Sequence, residues 1–364
     1  ERVTQVKHAL GPHYAGDAVA VVVERNGQRL DKEIKLAGKL EPYVLPQLGV
    51  LPARDPLAAD APGVPVRAVI AGSAAEKAGV KPGDVIASVG TDSVKDRGQL
   101  RTAVFGHKVS ENVKVAVVRG GQRIELNATL APVSEVIPDK LPPALADRPK
   151  FMGDRPATGL LVDQKIAEFA NVYLAYVPES YDPALQYGVV VWFHEPGPFP
   201  QDELLTRWKP VCEANNLILL APRSVQADKW LPTEVDFVGK VLEEFRNRYS
   251  LDPTRSVFYG RQAGGGMALL TASRKRDLVR GLVLVDAPPS GSLSGENEPS
   301  QPLSFFLAWA KKSQAAPVWQ SASARLREAK FSVVSKELDA EQPRELNDVE
   351  FAELVRWIDS LDAV

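Results

Sequence analysis

In the second half of the chain, apolar residues gather in short uninterrupted runs separated by longer amphipathic stretches. Residues 187–193 (YGVVVWF), 217–221 (LILLA), 281–285 (GLVLV) and 304–308 (SFFLA) are runs of strand length, the pattern of strands covered on both faces. Helical spacing occupies about 203–215, 235–249 and 264–276 between them. Strands alternating with helices predict a doubly wound parallel α/β sheet. The front of the chain carries another pattern, and carries it twice. Residues 16–30 (GDAVAVVVERNGQRL) return as 110–124 (SENVKVAVVRGGQRI), 94 positions later, and Gln5, Ala9 and His13 return at the same offset as Gln99, Ala103 and His107. Each copy reads as a short helix and two period-two strands joined by a Gly-bearing tight turn, Asn26-Gly27 or Gly120-Gly121.

Composition changes this picture little. The 364 residues, 45% hydrophobic and 25% charged, suffice for two or three cores. A net charge of -2 gives no electrostatic drive toward nucleic acid. No apolar run approaches the ~18 residues of a membrane span, and the first residues lack the pattern of a signal peptide. The single Cys212 excludes an intrachain disulfide and reads as a small buried hydrophobe. His194 beside Glu195 has no further ligand at metal-binding spacing, so neither a metal nor a cofactor is expected.

Only the second copy of the repeat has a front half. Leu48-Gly49-Val50, the apolar stretch 63–70 and the string 72–86 (GSAAEKAGVKPGDVI) precede its helix. This part resembles a PDZ domain of the circularly permuted bacterial kind found in Deg-type (high-temperature-requirement) serine proteases. The resemblance implies PDZ-like β-barrel or sandwich modules of the α+β class: the C-terminal half of a first module at 1–40 and a complete one at 41–133. It also implies a peptide site. Backbone amides around Leu48, Gly49 and Val50 would form a nest for a terminal carboxylate, the next strand would offer an open edge, and Leu100, Ala103 and Val104 would wall the side-chain pocket. The groove either receives peptide or protein C-termini or is filled from within the same chain. Arg97 and Arg101 nearby are expected to be solvated. The apolar face of 1–40 (Val3, Val6, Leu10, Val19, Val21, Val23) lacks the strands it is patterned for, so it is expected to be completed by intramolecular or intermolecular packing.

The candidate chemistry lies further on. Ser256-Val-Phe-Tyr runs into Gly260-Arg261-Gln262-Ala263-Gly264 and then a helical stretch, the strand, tight turn and helix of a nucleophile elbow. Together with Val177-Pro-Glu-Ser-Tyr-Asp-Pro183, the loop His194-Glu195-Pro196-Gly197-Pro198 and a closing helix near 351–358, this resembles an α/β-hydrolase of the esterase and dienelactone-hydrolase type. The domain is placed at 157–364, behind a Pro-rich stretch, 134–156, expected to act as a stiff connector.

That resemblance puts Gln262 where the nucleophilic serine would stand, and His194 and Glu195 in the remnant of the oxyanion loop. No carboxylate follows the 304–308 strand; Asp286 is a substitute acid or simply a strand-end aspartate. No histidine follows the elbow, since the chain's four are His8, His13, His107 and His194. An amide cannot replace the hydroxyl, and a nucleophile without its base reacts weakly. No catalytic residue is therefore expected, only a vestigial elbow at Gly260, Arg261, Gln262, Ala263 and Gly264. Arg261 and Gln262 either bind an anion or bond to neighbouring loops.

The expectation is a recognition and scaffolding chain, the regulatory C-terminal part of a larger bacterial protein. Two alternatives are a segment of a Deg-like serine protease whose protease domain lies upstream, and an unorthodox esterase or peptidase. The resemblance alone points to a periplasmic or extracytoplasmic setting. Residues 288–302, rich in Ser, Gly and Pro, are expected to form a mobile loop.

Overall fold

Alternating valines let the first repeat form a pair of antiparallel strands. In a computed structural model, which describes residues 3–25, 28–38, 43–58, 61–146, 151–289, 297–298 and 301–364, helix α1 (Val3–Leu10) precedes strand β1 (Ala18–Arg25). Strand β2 (Gln28–Lys35) pairs with it antiparallel from Ala18–Lys35 to Arg25–Gln28. Residues 1–42 form a unit of their own, and 43–364 form a second. In the first unit Val19 and Val21 are half-buried, whereas Val6, Leu10, Val22, Val23 and Ile34 are exposed.

The second unit opens with β3 (Pro46–Gln47), β4 (Val50–Pro52), β5 (Val64–Val69), α2 (Ala74–Ala78), β6 (Val85–Val89), β7 (Asp92–Ser93) and α3 (Arg97–Phe105). The second copy of the hairpin, β8 (Asn112–Arg119) and β9 (Gln122–Thr129), and the short β10 (Ala131–Pro132) follow. The sheet runs β4-β5-β6-β8-β9, with β7 on β6 and β10 on β3. Local chemistry sets the helix ends. Ser73 and Asp96 accept the amides of Glu76 and Gln99 as N-caps of α2 and α3, and Gly79 ends α2 at φ 86°. Leu48, Val50, Ile86, Leu100, Val104 and Val115 meet in the core.

The remainder builds β11 (Gly159–Lys165), β12 (Val172–Val177), β13 (Tyr187–Phe193), α4 (Gln201–Asn215), β14 (Leu217–Pro222), α5 (Glu234–Arg248), β15 (Leu251–Arg261) and α6 (Gln262–Arg274). Then come β16 (Gly281–Val285), β17 (Ser304–Ala310), α7 (Ala316–Glu328), β18 (Ser332–Leu338) and α8 (Asp348–Ser360). Eight strands form one sheet in the order β11-β12-β14-β13-β15-β16-β17-β18. β11, β12 and β14 pair antiparallel and the other pairs are parallel. The four apolar runs are its β13, β14, β16 and β17. Helices α4 and α8 cover one face, where Trp208, Cys212, Leu354 and Trp357 pack on Leu219, Val257 and Val283. Helices α5, α6 and α7 cover the other, where Val238, Leu242, Met267 and Trp319 pack on Val191, Phe258 and Leu282. This doubly wound sheet is an α/β-hydrolase fold, joined to a PDZ domain in one multidomain chain. Burial pushes the Cys212 thiol pKa up, so it stays an inert apolar filler.

One expectation meets a different outcome. The Pro-rich stretch is no spacer, because its described residues are bonded to both domains. Pro138 accepts from Arg356 Nε at 3.0 Å, Pro142 from Arg67 Nη1 at 3.0 Å and Ala144 from the Arg54 amide at 2.8 Å. Proline carbonyls keep two lone pairs, so an extended segment lying between two domains can accept bonds from each. Much of the expected 288–302 loop, at 290–296 and 299–300, lies outside the described residues.

Candidate functional site

The turn from β15 into α6 has the geometry of an elbow. Gln262 sits at its apex with φ 45°, a left-handed conformation that costs a residue with a Cβ roughly 1–2 kcal/mol. The glycines around it are required by contact. A Cβ on Gly260 would lie 2.5 Å from the Gly264 backbone, and one on Gly264 would lie 2.3 Å from the Phe193 carbonyl oxygen. The helix can start against strands β13 and β15 only if these positions stay bare. The exposed side chain at the apex is an amide, which can accept or donate hydrogen bonds but brings no nucleophilic hydroxyl.

Around the apex, the neighbouring polar side chains are engaged with one another. Arg261 forms an ion pair with both carboxylate oxygens of Glu195 and lies 3.5 Å from Glu345. Burial works against its charge, but the bond to Glu195 and the two carboxylates outweigh it and raise its pKa. Three loops are thereby tied together: the elbow, the segment after β13, and the segment after β18 where a catalytic histidine would lie.

His194 is buried, its Nε2 accepts the Ser224 amide at 3.0 Å, and its Nδ1 lies 2.6 Å from the Glu195 carbonyl oxygen. The proton therefore belongs on Nδ1, and the basic lone pair is already engaged. Burial lowers its pKa, so the ring is neutral. In the loop after β13 the Gly197 amide donates to the Ala227 carbonyl at 2.7 Å, and Pro196 and Pro198 have no amide to offer. Asp286 accepts the Ala310 and Arg344 amides, each at 3.0 Å, and so fixes the ends of two loops.

A second site lies at the PDZ groove. Gly49 has φ 91°, and a Cβ there would lie 2.2 Å from that of Ser73. This turn lets the amides of Gly49 and Val50 point at one oxygen. That oxygen belongs to Val364, at 2.6 and 3.0 Å, while the Val364 amide donates back to the Val50 carbonyl at 2.9 Å. The reciprocal pair with Val50 is an antiparallel strand contact on the free edge of β4. The Val364 side chain is 1% exposed and packs in one cluster with Leu48, Val50, Leu100, Ala103 and Val104. Of the six residues proposed from sequence, Gly49 and Val50 thus bond the Val364 backbone and the other four share its apolar cluster, with Val50 in both.

Charged groups reinforce this contact. Arg54 donates to Asp362 and Asp359, Arg67 donates to Asp359 at 3.0 Å, and Arg101 donates to the Asp362 carbonyl at 3.1 Å. Arg97, from α3, bonds Gln186 at 2.6 Å and Asp252 at 3.4 Å in the hydrolase-fold domain. Arg97 and Arg101 are therefore bound across the domain boundary rather than solvated, because α3 faces the start of β15 and the end of α8. A cavity of about 1260 Å³ borders Arg97, Arg101, Asp252, Arg280, Asp362 and Val364. Sequence reasoning missed Glu345 and Arg54, whose partners Arg261, Asp359 and Asp362 lie far from them along the chain.

The PDZ domain family matches residues 46–130. The "Serine protease Do-like HtrA" of Lactococcus lactis subsp. cremoris (strain MG1363) is 39% identical over 69 residues, 19% of this chain and 17% of that protein. The match thus spans about a sixth of the relative's length. Among solved structures, a "HtrA-type protease AlgW with decapeptide" covers 25% of this chain and 30% of its own, with 23% identity and a TM-score of 0.23. A "ferulic acid esterase" covers 57% of this chain and 100% of its own, with 12% identity and a TM-score of 0.42. No helix among the described residues is long and apolar enough to cross a membrane.

Proposed function

We propose that this chain is a recognition and scaffolding protein: the PDZ groove is its peptide-binding surface, and the α/β-hydrolase domain keeps its frame without its chemistry. The observation that carries the second half is the apex of the elbow, where Gln262 holds the φ of 45° in the place of a nucleophile. In keeping with this, Glu345 after β18 is paired with Arg261, and the imidazole of His194 has its lone pair on the Ser224 amide. Loss of nucleophile or base from a Ser-His pair costs on the order of a million-fold in kcat.

The experiment compares the wild type with Gln262→Ser on p-nitrophenyl acetate and labels both with a serine-reactive phosphonate. Neither protein should turn over the ester faster than buffer, and neither should take up the label at position 262, because no base removes the serine proton. Wild-type turnover that disappears when the 260–264 turn is mutated would overturn this reading.

A further inference from the structure

The PDZ groove is occupied by the polypeptide that leaves α8. After Ser360 the chain turns, with the Leu361 amide donating to Ile358 at 3.4 Å and the Ala363 amide to Ser360 at 3.0 Å. Val364 is thereby delivered to the edge of β4. Its backbone makes the antiparallel pair with Val50, its side chain fills the apolar pocket, and two residues earlier Asp362 meets Arg54 Nε at 2.7 Å. The ligand therefore has three recognised parts: a main-chain oxygen, an apolar β-branched side chain and an acid two residues before it.

We propose that residues 361–364, the segment after α8, are a built-in ligand of the PDZ groove, in competition with outside protein C-termini of the same chemistry, an acidic residue two positions before a terminal valine-like side chain. The proposal rests on the reading of the groove as a peptide-binding surface.

The geometry explains why an outside ligand needs both features. Asp359 is held independently, by Arg54 Nη1 at 2.5 Å and Arg67 Nη1 at 3.0 Å, so only the segment after α8 has to leave. Its departure empties an apolar pocket and takes one carboxylate from Arg54. A peptide that supplies an apolar end but no acid leaves that guanidinium half-satisfied, and burying a charge without its partner is unfavourable. The cavity of about 1260 Å³ that borders Asp362, Val364 and Arg101 gives an incoming chain room beside the groove.

The test titrates a fluorescent peptide, DSLDAV with a free carboxylate, into three full-length proteins: wild type, Val364→Asp, and a variant with Gly-Ser-Gly added after Val364. A tethered ligand acts at millimolar effective concentration, so both variants should bind at least about tenfold more tightly than the wild type. The peptides DSLAAV and amidated DSLDAV should bind the variants at least about tenfold more weakly than DSLDAV. Circular dichroism and thermal melting establish folding; if Val364→Asp unfolds, the extended variant, which keeps the valine, decides. Equal binding of DSLDAV by wild type and folded variants overturns the built-in ligand and leaves peptide recognition standing. No binding by any of the three overturns both.

Discussion

Arg54 and Asp362 lie 308 positions apart and meet through Nε and Oδ2 at 2.7 Å, with side chains only 3% and 2% exposed. A PDZ-domain guanidinium and the segment after the last helix of the hydrolase-fold domain thus share one buried contact. Removing one partner of such a pair strands the other charge and costs about 3–5 kcal/mol. Arg54→Ala should destabilise the chain by roughly that amount in urea unfolding. The double replacement Arg54→Met with Asp362→Leu should recover part of the loss, since no unpaired charge remains at Asp362 while Asp359 keeps only Arg67.

His194 gives stability a pH dependence with a definite sign. Burial lowers its pKa below the free imidazole value of about 6.5. The unfolded chain therefore binds the proton first as pH falls. The contribution is complete above about pH 6.5 and is lost as pH drops through the folded value. Urea midpoints should fall from pH 7.5 to pH 5.5 in the wild type. His194→Gln, whose amide oxygen can still accept from Ser224, should flatten that slope; an unchanged slope would place its origin elsewhere.

The elbow should respond in opposite directions to two glycine changes. Gln262→Gly relieves the left-handed conformation and should be neutral or stabilising by up to about 1 kcal/mol. Gly264→Ala drives a Cβ to within 2.3 Å of the Phe193 carbonyl oxygen and should destabilise by about 1–3 kcal/mol or more, as overpacking does. Thermal melting of both variants checks the pair. A destabilised Gln262→Gly would mean that the amide side chain contributes more than the turn costs.

Much of this architecture is legible in the sequence because it is local. The runs at 187–193, 217–221, 281–285 and 304–308 are interior strands, and a strand covered on both faces has no polar position to confuse its reading. The strands Gly159–Lys165 and Val172–Val177 were not singled out; the first, GLLVDQK, mixes polar and apolar residues at the sheet edge. The glycines at 260 and 264 announced a close approach that the backbone contacts display. What occupies the groove was not legible, since no spacing rule links Val50 to Val364. The link depends on where α8 ends in space. Glu195 and Glu345 around Arg261 were hidden for the same reason: each is an unremarkable loop acid until three loops converge.

The pairing of Val364 with Val50 also has a consequence in time. During synthesis the groove residues 48–50 and 100–104 leave the ribosome well before residues 359–364 exist, with the whole eight-stranded sheet to be made in between. The PDZ domain must therefore pass an interval with an empty pocket and an unpaired strand edge, a state open to pairing with other chains. Residues 359–364 follow only after that sheet, so a nascent chain exposes for a time the strand edge that pairing with Val364 later covers.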